Sequence, residues 1–465
     1  MIRDVFFLSC FSPLYRNDFT GIFRITFILT ITPYFQKDLP HGVITRSFGN
    51  QVMHIIYIHQ YFKTPDHKGG IRSYEMAKRL VQAGHKVSMI CCSLTMDIQG
   101  KPGNIIQSQV AGIDVYRIIE PYSNYMSFAR RWIAFLRFAQ HALKVTKSLR
   151  EVDLVFATST PLTVGPLGRK TAKFHKCPFV FEVRDLWPEL PIAMGLVKNP
   201  LLRWYLKNME LRTYRAASHC VALSPRMKAG IAETGFPEDH ITLIPNSCDN
   251  ELFFPTDFRS EISQDSRYGH PDDLRFVYAG THGLINGLDA VLDAIRELKK
   301  RNVTGIHFNF IGEGAKKPSL IKQAESEGLS GYVSWIDPMT KNDLARILPQ
   351  MDVGLLVFQN NTAIYDGTSP NKFFDYISSG LPVLNNYPGW LAKYIQERNC
   401  GVVVPPEDPM AFADAIMDLL KRRHALKTMG ENARKLAEDV FSRDKLAAQF
   451  VQVMEDVVKE CSHKQ

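Results

Sequence analysis

The stretch GTSPNKFFDYISSGLPVL, residues 367–384, carries anion-binding chemistry at the start of a helix. Ser369 offers a hydroxyl suited to an N-cap, and Pro370 suits a first helical position, where no backbone N–H is needed. Phe373, Phe374 and Ile377 share one apolar face, and Gly380 fits a left-handed C-terminal residue, so a helix of about three turns or less is expected. Free N–H groups, a partial positive charge and the Lys372 ammonium then converge on one point, which is how chains hold phosphate. Ser369, Asn371 and Lys372 are the expected holders.

Other residues repeat the theme. Gly69-Gly70 follows the apolar run HIIYIH, where missing side chains let a phosphate or sugar approach the backbone. A Gly-Gly turn needed only for its backbone geometry would read the same way. Gly280 and Gly283 in YAGTHGLING, and Gly312 and Gly314 in IGEGAKK, sit at two further strand ends, with Lys316 and Lys317 available to neutralise a diphosphate. VFEVRDLWPEL ends a strand on Arg184 and Asp185. Asp185 could orient or deprotonate a hydroxyl and Arg184 could bind a phosphate; a surface Arg-Asp pair would look identical.

The elements that must position these residues alternate short β-branched runs with amphipathic helices, the signature of parallel sheets with crossover helices. Strands are expected at HIIYIH, KVSMICC, DVYRII, DLVFAT, PFVFEV, HCVALS and ITLIPN. A second series follows at LRFVYAG, IHFNFIG, YVSWID, VGLLVF, LPVLNN and CGVVVPP. Helices are expected over IRSYEMAKRLVQAGH, GLDAVLDAIRELKKR and FSRDKLAAQFVQVMEDVVKE. The polar stretch 251–274 marks a seam between the two series.

The 465 residues suffice for two domains with their own cores, and 45% hydrophobic with 22% charged residues is the composition of a soluble globular protein. The eight cysteines form no C-x-x-C pair and have no zinc-type spacing with the 14 histidines, which fits a reducing compartment. Residues 1–250 carry 31 Lys/Arg against 18 Asp/Glu, and residues 251–465 carry 25 against 29. The first half therefore suits an anionic partner such as a membrane face or a pyrophosphate. Residues 1–52 lack the features of a signal peptide, and their uncharged run is too short to span a bilayer. They are expected to be an extension upstream of a start at Met53, or a membrane-associating arm.

IHQYFKTPDHKGGIRSYEMAKRL, VFEVRDLWPEL, TLIPNSCDNELFFP, YAGTHGLINGLDAVLDA, NFIGEGAKK and SPNKFFDYISSGLPV occur in an order that resembles glycosyltransferase family 4, and within it the WbuB-like aminosugar transferases. The resemblance spans Met53 to about Phe450. It implies an α/β chain of GT-B fold: two Rossmann-like domains facing each other across a cleft, over residues 53–255 and 256–440, with a helical segment 441–465 packing back toward the first. It implies retaining transfer of a sugar, an N-acetylated amino or deoxyamino sugar in this subgroup, from a UDP-linked donor. The acceptor would be a polyprenyl-diphosphate-linked saccharide in surface polysaccharide synthesis, O-antigen or capsule.

Family members carry two glutamates, with seven residues between them, around the helix start. Asp375 stands at the later position, which grips ribose, and Gly367 at the earlier one, with Asp366 one residue away as a substitute for the sugar-gripping acid. No D-x-D motif occurs, so no metal or other cofactor is expected, and no nucleic acid partner either. In residues 124–150, Trp132, Phe135, Leu136 and Phe138 alternate with Arg130, Arg131, Arg137, Lys144 and Lys147, the composition of an interfacial helix or of a core helix with a basic face. Peripheral contact with the inner face of the cytoplasmic membrane is the corresponding expectation. A nucleotide-sugar 2-epimerase of the same fold, or a binder without turnover, are alternative readings.

Overall fold

The computed structural model describes residues 52–93, 100–121, 126, 128–189, 192, 195, 197–256 and 265–463; the segment 1–51, expected as an upstream extension or a membrane-associating arm, lies outside them. Eight strands form the first sheet: β1 (His54–Ile58), β2 (Lys86–Cys92), β3 (Ile105–Val110), β4 (Ile113–Ile118), β5 (Leu154–Thr158), β6 (Phe179–Val183), β7 (His219–Ala222) and β8 (Ile241–Leu243). Their order is β3-β4-β2-β1-β5-β6-β7-β8, parallel throughout except for β3, which pairs antiparallel with β4. The second sheet holds β9 (Leu274–Ala279), β10 (Ile306–Ile311), β11 (Val333–Ile336), β12 (Val353–Leu356), β13 (Val383–Asn385) and β14 (Gly401–Val403). It is fully parallel, in the order β11-β10-β9-β12-β13-β14. This is the doubly wound Rossmann order, which reverses direction between the first and fourth strands.

Crossover helices cover both faces of each sheet, so the central strands β1, β5, β9 and β10 are buried along their length. In the first sheet one face packs against Phe138, Leu167 and Met227 and the other against Met76 and Leu80. The last helix, Arg443–Ser462, joins this second face: Phe450 meets Phe156 edge-on at 5.0 Å, and Ala447, Met454 and Val457 are buried beside them. Its start is held by Arg443, which pairs with both Asp249 and Glu75, the latter at 3.7 Å. From Asn50 onward the chain forms one compact unit.

Two switch points follow from the strand orders. In the first sheet the order reverses between β1 and β5, and in the second between β9 and β12. The loops after these strands hold Lys63 to Gly70, Ser159 to Thr163, Gly280 to Gly283 and Phe358, which is where open parallel sheets bind ligands. No helix among the described residues is long and apolar enough to cross a membrane.

Candidate active site

A cavity of about 460 Å³ opens between the two sheets. Backbone rather than side chain makes much of its wall. Gly69 has φ +115°, and a Cβ there would lie 3.0 Å from the Lys63 ammonium. That ammonium donates to the Lys68 carbonyl at 2.7 Å, folding the loop after β1 on itself. A Cβ on Gly70 would meet the Asn371 amide nitrogen at 2.9 Å, so the first domain touches the helix start of the second here. Across the cavity a Cβ on Gly312, whose φ is +147°, would fall 1.9 Å from the Gly280 carbonyl oxygen. Only glycine allows the loops after β9 and β10 to press together in this way.

Lys372 enters the cavity from the helix Asn371–Ser378. It is buried, its Nζ donates to the Tyr278 hydroxyl at 2.9 Å, and it lies 4.2 Å from the Tyr278 ring centroid and 5.1 Å from that of Phe358. Among the described residues no carboxylate pairs with it. Burial in these aromatic surroundings brings its pKa down to about 7. The neighbouring Asp375 is buried too, but Lys341 Nζ stands 2.5 Å from its Oδ2. Of the lysines that line the cavity, Lys341 is thus paired with a carboxylate, Lys63 and Lys68 are more exposed, and Lys372 is a buried cation without a counter-charge among the described residues.

A second cavity of about 400 Å³ adjoins the first through Lys63, Gly70, Phe358, Pro370 and Asn371. Arg184 and Asp185, at the end of β6, line it. The Thr160 hydroxyl donates to Asp185 Oδ2 at 2.7 Å. Burial nevertheless raises the Asp185 pKa, against the lowering effects of Thr160 and Arg184. Arg184 Nη1 lies 3.3 Å from His59 Nε2. An arginine only donates, so Nε2 accepts and the ring proton belongs on Nδ1. Burial, with Arg184 and Lys63 nearby, keeps His59 neutral by holding its pKa well below the usual value.

The structure changes part of the sequence reading. The helix expected to begin at Pro370 with Ser369 as its cap starts at Asn371 instead, and Pro370 takes the capping position without a side-chain bond. Ser369 is spent on a contact between the halves: its hydroxyl accepts from the Asn246 N–H at 3.0 Å and its carbonyl from the Asn246 amide at 2.5 Å. It lines the second cavity. Asp366 points its Oδ1 at the Trp390 N–H, 2.8 Å away, capping the helix Trp390–Glu397, and lines neither cavity. Lys316 pairs with Asp289 at 3.1 Å outside both cavities, whereas Lys317 is buried and donates to the Gly312 carbonyl at 3.0 Å, bracing the cavity wall.

Gly283 and Gly314 also lie off the two linings. A Cβ on Gly314 would come 2.4 Å from the His282 carbonyl oxygen, so that glycine serves loop packing. Gly69, Gly70, Gly280, Gly312, Asn371, Lys372 and Asp375 do converge on the first cavity, and Arg184 and Asp185 on the second. Lys63, Tyr278, Lys341, His59 and Asn246 were not singled out by sequence. Lys63 and Asn246 lay within the quoted runs IHQYFK and LIPN, and their place after strand ends was the available signal. No group of three or more His, Cys, Asp or Glu side chains among the described residues could hold a metal ion.

Comparison with known proteins gives this geometry its class. The family model "Glycosyltransferase Family 4" matches residues 69–252, and "Glycosyl transferases group 1" matches residues 273–422, one for each sheet. The chain belongs to the GT-B glycosyltransferases. Over 420 residues it is 22% identical to an MMP alpha-(1->4)-mannosyltransferase of Mycolicibacterium hassiacum, covering 85% of this chain and 97% of that one. The sucrose-phosphate synthase of Thermosynechococcus elongatus shares its fold with a TM-score of 0.71 at 17% identity, over 88% of this chain and all of the other. Anabaena HepE, solved in complex with UDP-glucose, matches with a TM-score of 0.65 at 15% identity, over 87% of this chain and 100% of that one. This GT-B glycosyltransferase therefore places its paired cavities in the cleft between two sheets of established type.

Proposed function

We propose that this glycosyltransferase moves an N-acetylated amino or deoxyamino sugar, with retention of anomeric configuration, from a UDP-sugar to a hydroxyl of a lipid-linked saccharide. The setting would be O-antigen or capsule synthesis. The observation that carries the reading is Lys372: a buried ammonium without a counter-charge, beside glycine backbone, is completed by a diphosphate. The UDP-glucose complex of HepE, a protein of the same fold, supports a nucleotide-sugar as the donor.

The chemistry follows from the two cavities. The bond between the anomeric carbon and the diphosphate oxygen breaks, and negative charge grows on the leaving group, where Lys372 and the free N–H groups of its helix stabilise it. The acceptor oxygen, held in the second cavity, bonds to the anomeric carbon on the face the diphosphate leaves. Its proton passes to the departing phosphate oxygen. Asp185 in its ionised form orients that hydroxyl, and Arg184 meets the acceptor's own phosphate. Asp375, anchored by Lys341, keeps its other oxygen for the donor ribose. Turnover requires no metal ion in this scheme. The acceptor's lipid places the protein on the inner face of the cytoplasmic membrane.

Incubating the full chain with a panel of UDP-sugars, with and without a polyprenyl-diphosphate-linked saccharide, tests this. Acceptor-dependent UDP release is expected. Acceptor-independent conversion of the donor would make the protein an epimerase, and binding without turnover would make Gly367, in place of an acidic residue, the mark of an inactive binder.

A further inference from the structure

The exposed apolar side chains are unevenly placed. Of eleven large ones among the described residues, five stand on two helices of the first domain: Ile133 and Leu136 on Phe128–Ser148, and Leu201, Trp204 and Tyr205 on Pro200–Tyr214. Spacings of three and four residues put each set on one face of its helix. Leu201 is 77% exposed and Trp204 65%, so neither is packed into the core of the described residues. Both helices pack on the helix Val164–His175, which floors a groove of about 610 Å³ between them.

Leu136, Leu143, Trp204 and Tyr205 contribute to its apolar wall, and Arg169, Lys170 and Arg212 supply charge. Among the described residues no aspartate or glutamate lines it. These three cations form no ion pair with any described residue.

We propose that this groove and its exposed rim are the surface by which the protein rests on an anionic lipid bilayer. Apolar and indole side chains flanked by unpaired cations match the boundary between acyl chains and anionic headgroups. The opposite signs of the groove and an anionic leaflet select that occupant over a neutral apolar partner. The proposal rests on the reading of the acceptor as lipid-linked, and it revises which residues meet the membrane. Phe138, which the amphipathic pattern offered to lipid, is fully buried in the first core. Trp132 packs beside Leu162, Val197 and Leu206, and so ties the two helices together from within.

The groove also has a short route to the acceptor cavity. Thr160, which holds Asp185, and Thr163, which lines the groove, belong to the same loop after β5. Three residues of chain reach at most about 10 Å. A lipid-linked acceptor drawn from the bilayer at the groove would thus present its first sugars close to Asp185.

Flotation of the full chain with vesicles of phosphatidylcholine, alone or mixed with phosphatidylglycerol, at low and high salt, tests the surface. Wild type is expected to float with the anionic vesicles and less so at high salt. The combined Leu201→Ser, Trp204→Ser, Tyr205→Ser variant should lose this partitioning. The combined Arg169→Gln, Lys170→Gln, Arg212→Gln variant should lose it about a hundredfold at low salt, since each cation near such a surface contributes about fivefold. Phe254→Ser, at an exposed aromatic away from the groove, should float as wild type does.

Equal flotation of wild type and the apolar variant overturns the proposal, because residues 1–51 are the same in both. So does a wild type that ignores vesicles while the apolar variant changes only its oligomeric state in light scattering, which would make a second copy the occupant. Transfer to a short water-soluble acceptor separates the two readings. Transfer without flotation sinks the surface alone, and flotation without transfer from any UDP-sugar sinks the proposed activity alone.

Discussion

Lys372 donates to the Tyr278 hydroxyl at 2.9 Å, and that same hydroxyl donates to the Thr281 carbonyl at 2.8 Å, so the phenol is a fixed, neutral support for a buried cation. The arrangement positions the ammonium without neutralising it. Lys372→Met should therefore lower kcat by about 10²–10³, the usual cost of removing one preorganised group from a developing anion. The fold should gain stability.

The sign of that gain follows from the pKa, about 7 in the folded chain against 10.5 for an ordinary lysine. Between these values the unfolded chain binds the extra proton, so stability rises with pH across the window. The cost of burying the charge is complete below about pH 7 and is relieved toward pH 10.5. Thermal unfolding should show Lys372→Met ahead of wild type most clearly at the acid end of this range, with the gap closing as pH rises.

The two glycine walls should respond differently to one methyl group. At Gly312 the methyl meets backbone in a strained region of φ, and Gly312→Ala should cost about 1–3 kcal/mol or more in chemical denaturation. At Gly70 it meets only the end of the Asn371 side chain, which can turn away. Gly70→Ala should keep wild-type stability and lose turnover, because Asn371 no longer faces the cavity as before.

Asp185 must be ionised to orient the acceptor, and the Thr160 hydroxyl favours that form while burial opposes it. Thr160→Val removes the favourable bond and pushes the carboxyl pKa further up. The acid limb of the kcat profile should then move to higher pH, with the alkaline side unchanged. An acid limb that stays in place would remove Asp185 from the acceptor's chemistry.

Treatment with EDTA should leave turnover unchanged, because the proposed scheme assigns the leaving-group charge to Lys372 and backbone N–H groups. Loss on chelation, restored by Mg²⁺ or Mn²⁺, would require a metal at the diphosphate.

Local pattern revealed most strands because parallel strands buried on both faces are continuous apolar runs, as in HIIYIH and IHFNFI. It missed β3, whose IIQSQV is a largely exposed edge with no regular alternation. The cavity glycines were legible because their place after strands is a property of the chain itself. Pairings across the sequence were not. Ser369 looks like a cap until Asn246, 123 residues away, takes its hydroxyl. Asp366 becomes a cap through Trp390, and Lys341 reaches Asp375 across 34 residues. Lys316 and Lys317 are equivalent by composition, and only the direction of each side chain separates a surface pair from a buried brace.

The central claim is that the Lys372 ammonium neutralises the donor diphosphate. Calorimetric titration with UDP, in buffers of different ionisation enthalpy, tests it most directly at a pH one unit above the lysine's value of about 7. Binding an anion beside a largely deprotonated Lys372 should draw in about one proton per UDP in the wild type, and none in Lys372→Met, whose affinity should also fall. At one unit below that value the wild type should bind UDP with no uptake, because the group is already charged. Tight UDP binding with no proton uptake in the wild type at the higher pH, or equal uptake in Lys372→Met, would contradict the claim.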